Sequence, residues 1–326
     1  MTSIQDVVSE ESADQKMPPG VLFEGPSVDA KFRDSYVAFG MMFAGTIAAL
    51  VWAVTQGIGW VEVSVFVGMF SLTTVGIGFM HRYFVHRSFR CGPVMRTLLA
   101  AIATMAVQGS VLKWVSNHRR HHLHSDKPGD VHSPYFDGVG NPCVSFAKGM
   151  LHAQGGWVWD QATTDAEYYA RDILADPIAM FYTRTRWFWY ALSAVLIPGA
   201  IGYALGGVQT MIGCVLFSGL FRSYVMTFAT SLVNSVCHSV GRYGYRRFEI
   251  NDGTTNELVT TILTFGEGLH NNHHRFPRDA YLSHAWYEID INGLIILGLG
   301  KLGLVHDIFA AGASVARPAA ARPEQA

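Results

Sequence analysis

The chain has 326 residues, of which half are hydrophobic and only 15% are charged, and its mean hydropathy is positive. Because a soluble domain carries about a quarter charged residues, this composition favours a protein that faces lipid over much of its surface. The formal net charge of −1 gives no reason to expect a nucleic-acid partner. The four cysteines are widely spaced and form no CxxC pair, which argues against a disulfide framework or a zinc ribbon.

The sequence opens with a polar segment. We expect residues 1–30 to be disordered and to lack a signal peptide, since they contain several acidic residues and no apolar run. Residues 31–313 are predicted to form a single membrane domain. The Ala-, Pro- and Arg-rich residues 314–326 are predicted to be a disordered tail.

Four stretches are long and apolar enough to cross a bilayer, because a spanning helix needs about 20 mainly apolar residues. Short connections join them in pairs, which predicts two helical hairpins. The last stretch contains Arg222, a residue that is costly in hydrocarbon and is therefore expected to face protein or a cavity. The predicted spans are residues 36–55, 61–80, 187–206 and 208–233.

Two further apolar stretches, residues 93–112 and 291–313, contain charged residues and could be read as additional spans. If residues 93–112 crossed the bilayer, the histidines on either side would face opposite compartments and could not share a metal. We therefore predict that both stretches are helices lying in the membrane interface.

The distribution of basic residues supports four spans. Of the 24 Lys and Arg residues, three precede the first span, twelve lie between residues 82 and 186, eight follow the fourth span, and the last is Arg222 within it; the hairpin turns contain none. Because cytoplasmic loops carry an excess of Lys and Arg, both termini and residues 81–186 are predicted to be cytoplasmic.

Nine of the fourteen histidines form clusters at the predicted cytoplasmic ends of the spans. In HRRHH and HNNHH the spacing i, i+3, i+4 places the rings on one helix face, where they can point towards one metal. His81 and His86 in HRYFVHR are about 140° apart on an ideal helix, so we expect them to approach from different directions or to reach different metals. Nine imidazoles are too many for one ion, which implies two. The nine are His81, His86, His118, His121, His122, His238, His270, His273 and His274.

These features predict an all-α integral membrane protein with four transmembrane helices in two hairpins and a cytoplasmic helical cap that holds a histidine-rich two-metal site. Spacing alone does not identify the metal, since imidazole suits Zn, Cu, Fe and Ni. The sequence has no DxxD pattern and a single ExxH, from Glu267 to His270, whereas the soluble four-helix carboxylate design needs two, which argues against that design. Zinc hydrolysis, copper transport and iron–oxygen chemistry remain open on the residues alone.

The motifs resemble those of the membrane fatty acyl desaturases, especially the stearoyl-CoA and delta-9 acyl-lipid group. HRYFVHRSF is similar to that family's HxxxxH box, HRRHH to its first HxxHH box, and GEGLHNNHHRFP to its last. NSVCH resembles its further Asn-xxx-His element, and the surroundings WVSNHRRHHLHSDKPGDVHSP and RYGYRRF are also family-like. The likeness runs from about Gly76 to Ala280.

The resemblance implies two non-haem iron ions held by the nine histidines, with Asn234 bound through a water. It further implies O2 as cosubstrate, a fatty acyl substrate (an acyl-lipid or an acyl thioester), and a cis double bond of the delta-9 type as the product. Two electrons would come from a separate ferredoxin-, rubredoxin- or cytochrome b5-type protein and its reductase. Neither reacting carbon carries an acidic proton, so a side-chain acid or base cannot start such a reaction.

Three residues match positions that shape a bend in the family's acyl tunnel: Gln108, Trp114 and Thr230. At other positions the chain departs from the acyl-CoA enzymes. Ser116 and Asn117 stand where those enzymes have an Arg–Asp pair that holds coenzyme A. Similarly, Ser231 replaces a Trp, and Gln161–Ala162 replaces an Arg–Lys pair. Losing these contacts should weaken coenzyme A binding, so we hypothesise a phospholipid-bound chain or another carrier as the acyl donor.

Ligating imidazoles usually donate their second N–H to a carboxylate or carbonyl, and Asp126, Asp130 and Glu267 are candidates for that accepting role. His124 and His132 could also contact the ligands. The alternatives to a desaturase are a related di-iron membrane oxygenase, such as a fatty acyl or alkane hydroxylase, and a non-catalytic membrane metal-binding protein. A membrane zinc hydrolase would need a Glu base beside the metal, but the chain has no HExxH motif.

Overall fold

The computed structural model describes residues 17–310, which are mostly helical. The first helix begins where Pro26 follows Gly25, and Asp29 lies in its first turn. Proline suits the first turn of a helix because its missing N–H would have no partner there, and an acidic side chain stabilises the same end. At 30 residues, this helix is about 45 Å long.

Short helices connect the long ones and form a cap at one end of the bundle. The α-helices are α1 (Pro26–Thr55), α2 (Trp60–Phe79), α3 (Pro93–Thr104), α4 (Val111–His124), α5 (Phe146–Gln154), α6 (Ala166–Tyr169), α7 (Arg171–Leu174), α8 (Pro177–Arg184), α9 (Arg186–Ala191), α10 (Ile197–Gly213), α11 (Arg222–Ser235), α12 (Leu258–Leu263), α13 (His270–Arg275) and α14 (Ile291–Lys301). Wider π-helical turns at Met80–Val85, Leu192–Leu196 and Cys214–Phe221 and 3-10 turns at Gly156–Trp159 and Val236–His238 continue several of them.

Two antiparallel ribbons fasten the chain around the cap. Strand β1 (Val21–Leu22) pairs with β3 (Thr163–Thr164), and β2 (Arg90–Cys91) pairs with β4 (Val305–His306). Both ribbons join segments that are far apart in sequence. The first pairs the start of the described chain with β3, and the second pairs its end with β2.

Three helical segments within the described residues are long and apolar enough to cross a membrane: Pro26–Thr55, Trp60–Val85 and Arg186–His238. The third has 53 residues and reverses direction at Gly207, where the backbone has a φ of 72°. Gly202 consequently packs against Met211 and Cys214, and Gly219 against the backbone of Ala194. The reversal falls between the third and fourth predicted spans.

Some predicted boundaries differ from the structure. Within the segment predicted to be disordered, residues 21–22 form a strand and a helix begins at Pro26, because β3 supplies a pairing partner that the local sequence does not reveal. Residues 1–16 and the predicted tail 314–326 lie outside the described residues.

The predicted interfacial helix over residues 93–112 was too long. It ends at Thr104, because Val107 and Gly109 take left-handed backbone conformations and Ser110 then caps α4. The one predicted over residues 291–313 was also too long: it ends at Lys301, shortly before the left-handed Gly303. At 12 and 11 residues, neither helix is long enough to span a bilayer.

The largest buried apolar cluster lies beneath the cap, between the end of α2 and helices α3, α4 and α8. It includes Phe84, Leu99, Val115 and Ile173, each at most 1% exposed. Because interiors are close-packed, this cluster fixes the position of the end of α2 relative to α4. Histidine clusters lie on α4 and in the π-helical turn that follows α2.

Candidate metal centre

The structure brings all nine predicted histidines together at one end of the bundle, in two groups. Within each group the candidate nitrogen atoms all lie within 4.8 Å of one another. Helix α4 contributes to both groups, and so does α13, so that the groups are neighbours. The first group is His81, His86, His118, His122 and His273, and the second is His121, His238, His270 and His274.

The sequence left open whether His81 and His86 approach one metal from different directions or reach different metals. Both belong to the five-histidine group. The chain between them forms a π-helical turn, with the backbone N–H of His86 bonded to the carbonyl oxygen of His81. In such a turn, residues five apart are one turn apart, so the two rings lie on the same face.

Four buried carboxylates hold four of these rings through their Nδ1 atoms. His81 contacts Glu267 at 2.5 Å and His121 contacts Asp130 at 2.8 Å. The other two contacts are His238–Asp126 at 2.9 Å and His274–Asp252 at 2.8 Å. Glu267, Asp130 and Asp126 were predicted for this role. Asp252 was missed, because it lies in a polar loop far from the histidine motifs in sequence.

These carboxylates determine which ring nitrogen is free. A ring that donates its Nδ1 proton to a carboxylate presents an unprotonated Nε2 atom with a lone pair. The Nε2 atoms of His121 and His274 face each other at 3.3 Å, and each ring has its own carboxylate on Nδ1. In these tautomers neither atom can donate to the other, and a cation between them would satisfy both lone pairs.

Burial favours the neutral form of several of these imidazoles. It lowers the pKa of His118, His273 and His274 well below the ordinary value, and neighbouring histidines lower it further. Metal ligands must be deprotonated, so neutral rings suit ligation. The Nε2 atom of His86 is buried and has no hydrogen-bond partner among the described residues, which also fits a ligand atom.

An arginine supports the carboxylate behind His81. Arg82 donates to Glu267 at 3.0 Å and to Asp290 at 2.7 Å, and it is 1% exposed. Burial alone would raise the pKa of Glu267, but the charge of Arg82 and the hydrogen bonds from His81 and Asn292 lower it to about 2. Glu267 therefore stays ionised and fixes the orientation of the His81 ring.

The other three carboxylates bond to histidines, backbone N–H groups and hydroxyls. Asp126 accepts from Gly253 N–H, and Asp130 from the N–H groups of Asp126 and His132. A buried anion is costly unless a cation or hydrogen bonds compensate it. Their combined charge beside neutral rings therefore favours metal cations in the two groups.

A cavity of about 160 Å³ reaches this centre. Its wall includes one metal-group histidine, His118, together with Asn234. Trp114 lines the cavity and stacks on His118, with ring centroids 4.9 Å apart. The three predicted bend residues, Gln108, Trp114 and Thr230, all lie in the cavity wall. The Gln108 side chain also donates a hydrogen bond to the Thr227 hydroxyl at 3.3 Å.

The positions that depart from the acyl-CoA pattern lie near the same cavity. Asn117 and Ser231 line it. Ser116 is buried, and its hydroxyl donates to backbone carbonyls of its own helix. Gln161 is exposed, and the backbone carbonyl of Ala162 accepts from Lys31.

Two further histidines have different surroundings. His124 contacts the Tyr169 hydroxyl at 3.3 Å. His132 lines the cavity, and its ring lies 4.4 Å from that of His121. Arg222 is fully buried and donates to Thr73, Ser193 and Ser223, so it faces protein.

The fold and the site together define a membrane-associated helical protein whose histidine-rich, metal-binding centre adjoins a cavity. A sequence model described as "Fatty acid desaturase" matches residues 58–291. The chain belongs to the fatty acid desaturase family, and it is an oxidoreductase that desaturates fatty acyl chains.

Curated relatives cover most of the chain. The hex-5-enoyl-[acyl-carrier protein] acetylenase of Moorena producens (strain JHB) is 35% identical over 268 residues, 81% of this chain and 82% of that protein. The sn-1 stearoyl-lipid 9-desaturase of Anabaena variabilis is 30% identical over 267 residues, 80% of this chain and 89% of that protein. The enzyme of the same name from Synechocystis sp. (strain ATCC 27184 / PCC 6803 / Kazusa) is 32% identical over 280 residues, 84% of this chain and 72% of its own length.

Proposed function

We propose that this desaturase uses O2 and two iron ions to introduce a cis double bond of the delta-9 type into a saturated acyl chain. The ligands would be the nine histidines of the two groups, with Asn234 acting through a water. The observation that carries this proposal is the cavity wall, since it includes Asn234 and His118, which is a member of the five-histidine group. An acyl chain in the cavity would therefore reach the metal centre directly.

The donor set favours iron over zinc. Structural and catalytic zinc sites usually have four ligands, whereas the first group alone gathers five imidazoles. Imidazole ligands suit iron, and the family's reaction acts on carbons without acidic protons. When bound, the two irons would supply the oxygen activation and one-electron oxidation that such carbons require.

The protein's own residues orient the ligands and the substrate. Glu267, Asp130, Asp126 and Asp252 fix their four rings so that each Nε2 lone pair points into a group. Trp114 lies between the cavity and the five-histidine group, stacked on His118. A chain held against this wall would present only a few of its methylenes to the centre, and burial of the groups keeps bulk water away.

The topology completes the proposal. Four spans would result if both halves of the 53-residue segment cross the bilayer on either side of Gly207. The basic residues then place both termini and the histidine-bearing cap in the cytoplasm. Two electrons would reach the centre there from a separate ferredoxin-, rubredoxin- or cytochrome b5-type protein. Helices α3 and α14 would lie in the interface.

We propose an acyl donor other than coenzyme A, because Ser116, Asn117 and Ser231 supply no charge for its phosphates. Two relatives bear the name of acyl-lipid enzymes and one that of an acyl-carrier-protein enzyme. That last relative is an acetylenase, which favours acetylene formation as a second candidate reaction. Both reactions remove two hydrogens, and they differ in whether the carbon pair already carries a double bond.

The decisive experiment is reconstitution of the purified full-length chain with iron, a reduced donor protein and stearoyl-bearing substrates, followed by mass spectrometry of the products. We expect about two irons per chain and an O2-dependent double bond without oxygen from O2 in the product. His273→Ala should lose both iron and product, whereas His306→Ala, an exposed histidine on β4, should retain them. Zinc in place of iron, an oxygenated product, or full activity of the His273 variant would refute the proposal.

A further inference from the structure

One cation in the wall of the acyl cavity has no hydrogen-bond or ion-pair partner within residues 17–310. The main cavity and a smaller adjoining pocket share Lys113, Asn117 and Trp157. Their combined wall contains four cations, Lys31, Lys113, Arg120 and Arg186, against two carboxylates, Asp34 and Asp160. The wall is therefore positively charged although the substrate chain is apolar.

Three of these cations are held by protein groups. Lys31 donates to the carbonyl oxygens of Asp160 and Ala162, at 2.6 and 2.8 Å. Arg120 donates to the Gly129 carbonyl at 2.6 Å, and Arg186 to Asp34 at 2.5 Å. Their positions and hydrogen bonds are accounted for by the fold itself.

Lys113 differs from them. Among the residues that the structure describes, its ammonium group has no hydrogen-bond or ion-pair partner. It lies in the first turn of α4, where the helix dipole adds positive potential and disfavours a cation. Burial lowers its pKa to about 8, with Asp34 opposing that shift and Arg186 adding to it. An anion bound beside Lys113 would remove this unfavourable electrostatic energy.

The position of Lys113 in the cavity indicates which kind of anion it binds. Asp34 and Ser35 of α1 and Arg186 and Trp187 at the start of the 53-residue segment line the cavity. Asp34, Ser35 and Arg186 stand at the polar ends of two apolar stretches, where bilayer phosphates would lie if those stretches cross the membrane. Basic pockets between membrane helices bind lipid head groups at this depth.

We propose that Lys113 binds the phosphate of a glycerophospholipid whose acyl chain occupies the cavity. This inference rests on the proposed desaturation of a chain bound to a carrier other than coenzyme A. Lys113 lies five residues before His118 on the same helix, so their Cα atoms are about 7.5 Å apart along the helix axis. Lys113 would thereby set which carriers are accepted.

The test compares two lipids with identical acyl chains in nanodiscs that contain the full-length enzyme. One is phosphatidylglycerol, and the other is a galactosyl diacylglycerol, which has no phosphate. Lys113→Gln should raise the KM for phosphatidylglycerol about tenfold or more, the effect of losing a charge-assisted hydrogen bond, and leave kcat within about twofold. The KM for the galactolipid should not change.

Two further variants serve as controls. Lys113→Arg should retain most of the phospholipid preference because it keeps the charge, and Lys148→Gln, at an exposed lysine of α5, should behave as wild type. Equal changes in KM for both lipids would overturn the proposal. A Lys113 dependence confined to acyl-carrier protein or acyl-CoA substrates would also overturn it.

A binding measurement separates this proposal from the proposed reaction. Short-chain phosphatidylglycerol and galactolipid can be titrated against the fluorescence of the cavity tryptophans without any turnover. Weaker phospholipid binding by the Lys113→Gln variant would support the site even if no desaturation occurred. Unchanged phospholipid binding in a folded Lys113→Gln variant would refute it even if the enzyme were active.

Discussion

The Nε2 atoms of His121 and His274 face each other at 3.3 Å, while Asp130 and Asp252 occupy the Nδ1 positions of the two rings. Each carboxylate thereby determines that its ring offers a lone pair to the space between them. The histidines supply the ligand atoms, but the carboxylates decide where those atoms point. We therefore expect the carboxylates to contribute to metal binding through the rings that they orient.

Asp252→Asn should weaken metal binding. An asparagine amide can donate to Nδ1, which would move the proton to Nε2 and block the ligand atom. We expect metal affinity to fall by about 10–100-fold, as is usual when the group behind a ligating histidine is lost. Metal content after dialysis against a graded chelator series measures this. Asp307→Asn, at an exposed partner of Arg90, is the matched control, and equal metal loss in both proteins would contradict the prediction.

Thr230→Ala should loosen the regiochemistry of desaturation. The substitution removes a methyl group and a hydroxyl from the cavity wall, so neighbouring methylenes compete better for the centre. A loss of about 1 kcal/mol of discrimination would change the ratio of double-bond isomers roughly fivefold. Mass-spectrometric location of the double bond is the measurement.

The matched control for this prediction is Thr210→Ala. Thr210 makes the same kind of hydrogen bond as Thr230, from its hydroxyl to the carbonyl four residues earlier, but it lies outside the cavity. Its variant should give wild-type products. If the Thr230→Ala variant has a normal iron content and still gives the same single isomer as wild type, Thr230 does not shape the bend.

Much of the metal centre could be predicted from the sequence because its ligands follow local rules. The HxxHH spacing places rings on one helix face wherever that helix lies, and the membrane ends of the spans bring the clusters together. Asp130 and Glu267 were also predictable, since they stand close to the motifs in sequence. Asp252 was not, because its contact with His274 depends on the path of a loop between distant segments.

Backbone irregularity accounts for the main errors. The orientation of His81 and His86 was derived for an ideal α-helix, and the π-helical turn that joins them follows no pattern that we recognise in the residues. The early end of α3 depends on Val107, a β-branched residue in a left-handed conformation that it adopts only under tertiary constraint. The charge of Lys113 was evident from the sequence, whereas its lack of a partner in the described part of the chain was not.

Gly76→Ala should destabilise the protein. A Cβ atom at this position would collide with the backbone carbonyl of Ile102 on α3, which cannot rotate away as a side chain can. We expect about 1–3 kcal/mol of destabilisation, as for an overpacked core. Because His81 follows five residues later, metal content should fall as well. Thermal unfolding in detergent and iron analysis measure the two effects.

Gly68→Ala is the matched control for that prediction. Gly68 lies on the same helix, and a Cβ atom there would meet nothing within 4 Å among the described residues. Alanine is the better helix former, so this variant should be as stable as wild type or slightly more stable. Similar destabilisation of both variants would show that the contact with Ile102 is not the cause.

Asp172 should contribute stability that depends on pH. Partial burial would raise its pKa, but hydrogen bonds from Arg119 and Arg87 hold the pKa far below the ordinary value. A depressed folded-state pKa stabilises the protein fully above the unfolded-state value of about 3.9, and this contribution is lost as the pH falls through the folded-state pKa. Asp172 is partly exposed, so screening limits its contribution to about 1 kcal/mol or less.

The corresponding measurement is the difference in Tm between wild type and Asp172→Asn across a pH series. The wild type should be more stable by a constant amount above about pH 5, where the carboxylate is ionised in both states. Below about pH 4 the difference should shrink, because protonation removes the ion pairs that the asparagine already lacks. Metal loss in acid affects both proteins alike and cancels in the difference. A gap that stays constant or widens as the pH falls would mean that Asp172 does not stabilise the fold through its charge.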